Sequence, residues 1–162
     1  MAEKTKPRKC IAVVKVRGTV SATRQARETL EMLHLKHSNH GLLVDDRPSY
    51  SGMLMAVRDY VTYGEPSKET VAELIKRRGR VKGDKKLTEE YAQKSGFKSL
   101  DDLAEAVHSG RAEYWKLPNI QPFFRLHPPS KGYKGKIKRS FGSGGELGYR
   151  GEKIDALLKR MF

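Results

Sequence analysis

Cysteine is nearly absent from this 162-residue chain. Cys10 stands alone, which excludes an internal disulfide and a cysteine-built zinc site and reads as a small apolar residue at a strand start. Long apolar runs are missing as well. No stretch approaches the roughly 20 residues that a bilayer span requires. The basic N-terminus MAEKTKPRK leads only into a short apolar run interrupted by Lys15 and Arg17, so it does not read as a signal peptide. Acid is scarce relative to base: 19 Asp and Glu face 33 Lys and Arg, for a formal net charge of +14. Such an imbalance points to an anionic partner and is far larger than a small substrate requires. With 37% apolar and 32% charged residues, the chain predicts a modest core under a large surface. The length suits one domain, or one domain with an appendage. The expected compartment is the cytoplasm.

The positive charge is concentrated towards the ends. Residues 1–30 hold eight Lys and Arg against two acids, and residues 111–162 hold twelve against four. Residues 31–75 reverse the balance, with four against seven. Three basic runs stand out: Lys4–Lys9, Lys76–Lys86 and Arg125–Arg139. The last lies in Phe123–Arg139, FFRLHPPSKGYKGKIKR, which has six cations and no acid. Pro128 and Pro129 deny that stretch a helix, and Gly132 and Gly135 deny it stiffness. It is expected to be mobile and poor in core contacts until a polyanion orders it. Phe123, Phe124, His127 and Tyr133 would then be available to stack on bases.

Taken in order, residues 1–9 form a basic arm. Cys10–Val16 is a β-branched strand, and Ser21 is the expected cap of a helix with Ala22, Ala26, Leu30 and Leu33 on its apolar side. A turn at Asn39–Gly41 leads to a strand at Leu42–Val44. Ser51 is the expected cap of a second helix through Leu54 and Val57, and Val61–Tyr63 is a third strand stopped by Gly64. This β-α-β-α-β pattern over residues 10–65 is an α+β unit with its helices on one sheet face. Residues 66–162 read as a helical and extended basic C-terminal extension. Its helices start at Ser67, Thr88 and Ser99, with a last one at Glu152–Met161. Lys76–Lys86 and the glycine-rich Gly142–Gly151 are predicted loops.

Several motifs can be weighed at once. His34, His37 and His40, three apart, spread around a helix and do not converge, so they predict a polar helix end and no metal site. Gly142–Gly151 lacks the Gly-Lys-Ser/Thr of a P-loop. Lys131-Gly132-Tyr133 begins like the RNA-recognition-motif signature and departs from it at Lys134 and Gly135. Val16–Val20 followed by Arg24 loosely matches the phosphate cradle of acylphosphatases, with Asn39 as the residue to orient a water. There are no paired carboxylates or nucleophile motifs in support. No catalytic residue and no cofactor is assigned. Flexible basic loops beside aromatics suit the irregular grooves of folded RNA.

The strings Val16-Arg17-Gly18, Thr29-Leu30-Glu31-Met32-Leu33, His37-Ser38-Asn39-His40, Tyr50-Ser51-Gly52-Met53 and Tyr63-Gly64-Glu65-Pro66 carry a specific likeness. So do Phe124-Arg125-Leu126-His127-Pro128-Pro129, Gly144-Gly145-Glu146-Leu147-Gly148 and Ile154-Asp155-Ala156-Leu157-Leu158. Together they resemble the large-subunit ribosomal protein family numbered thirty (number seven in eukaryotes), in its long archaeal form. Short bacterial relatives correspond to about residues 10–65. The resemblance implies a ferredoxin-like β-α-β-α-β core that binds large-subunit ribosomal RNA, and a structural, non-catalytic, ribosome-associated role. It also implies an extension that spreads over RNA and neighbouring large-subunit proteins, near 5S RNA, with no membrane and no small-molecule substrate. The arm is far shorter than the eukaryotic N-terminal extension.

The expected RNA contacts follow. The resemblance implies Arg17, Arg24 and Arg27 around the first helix, His37 and Asn39 after it, and Tyr50 and Ser51 at the second helix start. It adds Arg125, His127, Lys131, Lys134, Lys136, Lys138 and Arg139 in the tail. Lys9, Arg77, Arg78, Arg80 and Lys82 come from the other basic runs, and Arg47 and Arg150 complete the set. Two rival readings stand beside this one: a free-standing RNA chaperone or regulator, and an acylphosphatase-like hydrolase.

Overall fold

A computed structural model describes residues 8–162. The predicted basic arm therefore falls outside the described residues except for Arg8 and Lys9. The first 65 residues hold β1 (Cys10–Lys15), α1 (Arg24–Met32), β2 (His40–Asp45), α2 (Pro48–Val57) and β3 (Val61–Gly64), the β-α-β-α-β order the sequence predicts. There follow α3 (Lys68–Arg78), β4 (Arg80–Val81), β5 (Lys85–Lys86), α4 (Glu89–Lys94) and α5 (Leu100–His108). The chain closes with β6 (Phe123–Arg125), β7 (Lys136–Ser140), β8 (Gly145–Tyr149) and α6 (Ile154–Met161). Six strands form one sheet in the order β6-β2-β1-β3-β8-β7, while β4 and β5 make a separate hairpin.

The unbroken apolar run of β1 has a physical reason: both faces of the sheet are covered, so side chains of either parity must be apolar. Val13, with Leu42 and Val44 of β2, packs under α1 and α2 against Ala26, Leu30, Leu54 and Val57. Cys10, Ala12, Val14 and Leu43 point the other way, into a second core with Val71, Leu74 and Ile75 of α3, Leu103 and Val107 of α5 and Ile154 and Leu157 of α6. Thus α1 and α2 lie on one sheet face, as expected, and the extension covers the other. Burial also pushes the Cys10 thiol up to about 12, with the Asp45 charge adding to the rise, so this cysteine is an inert core group.

Helix ends follow local chemistry, with two corrections. Thr23, not Ser21, caps α1; its hydroxyl accepts from the Ala26 amide at 3.3 Å. α2 starts at Pro48 with Arg47 at the cap position, so Ser51 lies inside the helix; proline's fixed φ suits the first helical position. At its far end α1 stops in a Schellman motif. The Leu35 amide donates to the Leu30 carbonyl at 2.8 Å and the His34 amide to Glu31 at 3.0 Å, with His34 at φ 59°. The histidines predicted to spread around a helix do not: His34 sits just past the end of α1, His37 in the loop and His40 on β2. Ser67 and Ser99 cap α3 and α5 as expected.

The predicted loops are the larger departure. Lys76, Arg77 and Arg78 form the last turn of α3, where cations favour the negative end of the helix, and the run continues into the β4–β5 hairpin. Phe123–Arg125 is an edge strand paired to β2, and Phe124 is buried against Tyr114 with ring centroids 4.9 Å apart. The stretch Phe123–Arg139 therefore does contribute to the core, though no helix forms in it. Within Gly142–Gly151, β8 pairs in parallel with β3 through Thr62↔Gly148 and Tyr63↔Tyr149. The third strand ends at Gly64, one residue later than the sequence predicts. Gly64 belongs to β3 and is glycine because a Cβ there would collide with the Gly151 carbonyl.

Candidate nucleic-acid interface

One lateral row of paired residues crosses the sheet: Phe123 on β6, Leu42 on β2, Val13 on β1, Tyr63 on β3 and Tyr149 on β8. Directly paired side chains share a face. In the middle of the row Leu42 and Val13 are covered by α1 and α2. At its ends Phe123 and Tyr149 each line an open cleft. The helical layer of this face is therefore flanked by two grooves.

The β6-side cleft, about 420 Å³, is lined by His34, Lys36, His37, His40, Phe123 and Arg125. The His40 and Phe123 rings stack with centroids 5.0 Å apart, and His37 meets His40 edge-on at 5.2 Å. Burial lowers the His40 pKa, and the charges of His37, Arg125 and Lys15 lower it further. On the rim, Arg125 pairs with Asp84 at 2.9 Å, which brings the hairpin loop with exposed Lys82 next to the cleft. The β8-side cleft, about 670 Å³, joins Arg17, Arg58, Tyr63, Lys138, Phe141 and Tyr149. The Arg17 guanidinium lies 5.5 Å from the Tyr60 ring centre and donates to the Asp59 carbonyl at 3.3 Å. Residues 121 positions apart in the chain, Arg17 and Lys138, thus share one groove.

The remaining predicted contacts divide into exposed and engaged groups. Arg24 and Arg27 are exposed on α1, with Arg24 held to Glu28 at 2.7 Å. Ser51, Arg77, Lys131, Lys134, Lys136 and Arg139 are also exposed; three of these lie with Lys138 on or beside the edge strand β7. Lys9 lines a third cavity with Glu65 and Glu152. Arg78 and Arg80 are half-buried, and Arg80 donates to the Gly79 carbonyl at 3.0 Å. Asn39, at φ 64°, accepts from the Tyr133 hydroxyl at 3.2 Å. The ring nitrogens of His127 face the main-chain oxygens of Pro128 and Phe162. Arg47 pairs with Asp45 at 2.8 Å and with Glu113 and lies against the rings of Tyr50 and Trp115, so both Arg47 and Tyr50 are tied into the fold.

Arg150 departs most from expectation. It is buried, donating to Thr62 Oγ1 and the Glu146 carbonyl at 2.7 Å each and to the Glu146 carboxylate at 2.5 Å. Its charge is spent inside the protein and is not offered to a surface ligand. Among the described residues no group of His, Cys, Asp and Glu is placed to hold a metal ion, and no helix is long and apolar enough to cross a membrane.

Comparison with known proteins decides the family. The model of the ribosomal protein L30p/L7e family matches residues 11–61, which span β1 to the start of β3. A large ribosomal subunit protein uL30 from Methanoculleus marisnigri is 48% identical over 151 residues, covering 93% of this chain and 98% of its own length. One from Archaeoglobus fulgidus matches to the same extent. One from Thermofilum pendens is 47% identical over 150 residues, covering 92% and 96%. The chain belongs to the ribosomal protein L30p/L7e family.

The L30p/L7e family is structural and non-enzymatic. For this L30p/L7e protein, sequence reasoning overlooked Lys36 and His40 in one cleft and Arg58, Phe141 and Tyr149 in the other. Lys36 precedes the quoted string His37–His40 and His40 ends it, which was the one available signal. The others become neighbours only through the β6 and β8 pairings.

Proposed function

We propose that this protein is a structural, non-catalytic constituent of the large ribosomal subunit that binds large-subunit ribosomal RNA through the sheet face bearing α1 and α2. Family membership supports the role. The observation that carries the choice of face is the pair of clefts beside those helices, each combining cations with aromatic rings. Cations neutralise phosphates, and rings receive bases that have left the stack. Residues 10–65 act as the RNA-binding core, residues 66–162 spread over RNA and neighbouring subunit proteins, and residues 1–9 add a basic arm. The 5S RNA is one of the partners, and the site of action is the cytoplasmic ribosome.

Hydroxyl-radical footprinting on the large subunit, with probes tethered at Met32 and Tyr149, tests the face. Cleavage of ribosomal RNA from both positions is the expected result. Tagged protein that sediments free of the large subunit at moderate salt would overturn the assignment, and exchange among many unrelated RNAs would favour a free-standing chaperone.

A further inference from the structure

Arg125 pairs with His40 across β6 and β2, and Lys15 follows Val14, which pairs with Gly41, so Lys15 comes up beside His40 on the next strand. Three basic side chains therefore stand side by side on one sheet face. Lys15 is buried and its ammonium donates to the Lys36 carbonyl at 2.9 Å, which fixes the backbone that presents Lys36 and His37. His34 and His37 close the concavity from the end of α1 and the loop after it. None of the lining residues is an acid; Asp84 reaches only the Arg125 guanidinium at the rim. Fixed cations crowded into a half-buried cleft repel one another, and the arrangement is relieved by an anion.

Resting on the RNA-binding reading above, we propose that the His34–Lys36–His37–His40–Phe123–Arg125 cleft is a site for one unpaired nucleotide of RNA. Its phosphodiester sits among Lys36, His40 and Arg125, and its base lies on the imidazoles of His34 and His37. A volume of about 420 Å³ accommodates a single nucleotide and is too small for a duplex. Phosphate charge beside His40 also reverses the local balance. In the free protein, burial and the charges of His37, Arg125 and Lys15 hold the His40 pKa below the ordinary imidazole range. A bound phosphodiester raises it, so binding takes up a proton. By linkage, affinity climbs as pH falls through the His40 pKa of the complex and levels off below that of the free protein.

The test is binding of a six-nucleotide single-stranded RNA and of a twelve-base-pair RNA duplex to the full chain at pH 8.0 and 6.0. For one coupled proton the single strand should bind up to about tenfold tighter per pH unit within the window. His40→Gln should remove most of that rise, and loss of its phosphate contact should also weaken single-strand binding at pH 8.0. Because His40 packs on Phe123, Lys36→Ala serves as a surface variant. It should weaken single-strand binding several-fold at both pH values, with little effect on duplex, and inorganic phosphate should compete with the single strand only weakly. A wild-type affinity for the single strand that does not change with pH, or an unaltered rise in His40→Gln, overturns this site while leaving RNA binding intact. Failure of both RNAs to bind at any pH in low salt would instead sink the RNA-binding reading itself.

Discussion

Arg150 and Glu146 bring opposite charges together away from water, each side chain about 5% exposed. Removing two ions from solvent is costly, and the pair is held by hydrogen bonds from three of the five Arg150 N–H groups and to both Glu146 carboxylate oxygens. Glu146 also accepts from the Gly135 amide at 2.7 Å, and Thr62 receives Arg150 while donating to the Gly148 carbonyl at 3.0 Å. The network joins β3, β8 and the loop before β7. Glu146→Gln leaves a buried guanidinium without its counter-charge and should cost about 3–5 kcal/mol, read as a lowered urea midpoint. Burial pushes the Glu146 carboxyl up, yet the Arg150 hydrogen bond, the Gly135 amide and the charges of Arg150 and Arg160 outweigh it and leave the pKa below the usual carboxylate range. A depressed folded pKa stabilises the protein above the unfolded value of about 4.3, and the gain is lost as pH falls through the folded value. The gap between wild type and Glu146→Gln should accordingly narrow in unfolding titrations taken below about pH 4.

At the scale of elements, β3 depends on Gly64 because α6 begins so close to it that a side chain there would meet the Gly151 carbonyl and Ile154. Gly64→Ala should therefore destabilise by about 2 kcal/mol or more, since either backbone must move, whereas Gly52→Ala, with open space at its Cβ position, should be neutral or stabilising. Thermal unfolding of the two variants side by side checks this. What the sequence discloses about elements follows the range of the interactions that make them. β1 to β3 and α1 to α3 carry their own periodicity, so their order is readable even where the caps of α1 and α2 are misplaced. β6 and β8 are short, rich in glycine or charge, and become strands only by lying against β2 and β3, more than 80 residues away. No local pattern encodes that pairing. The same holds for the clefts: Arg17 and Arg125 are recognisable as cations and His37 as a polar ring, but Tyr149 and Phe141 acquire a role only through the parallel β3–β8 contact. Arg150 misleads for the converse reason, since its counter-charge Glu146 lies in a string that reads as a loop.

For the molecule as a whole, the net charge of +14 is a cost when the protein is alone and a source of affinity when it meets a polyanion. The two clefts sit on opposite sides of the α1–α2 layer and face the same way, so a single folded RNA laid over that face meets both. Each phosphate neutralised releases counterions and contributes about −0.7 to −0.9 to the slope of log affinity against log salt. Lys36→Ala with Arg125→Ala removes two cations from one cleft, and Arg17→Ala with Lys138→Ala removes two from the other. If one RNA spans the face, each pair should flatten the slope by about 1.5, and the four together by about 3, for the same ribosomal RNA fragment. Lys76→Ala provides the control. Its ammonium pairs with Asp101 at 2.7 Å, joining α3 to α5 over the opposite sheet face, and its loss should leave the slope within error. A slope that responds to Lys76 and to neither cleft would mean that RNA approaches from the side of the extension helices. A response to one cleft pair alone would confine the contact to that edge of the sheet.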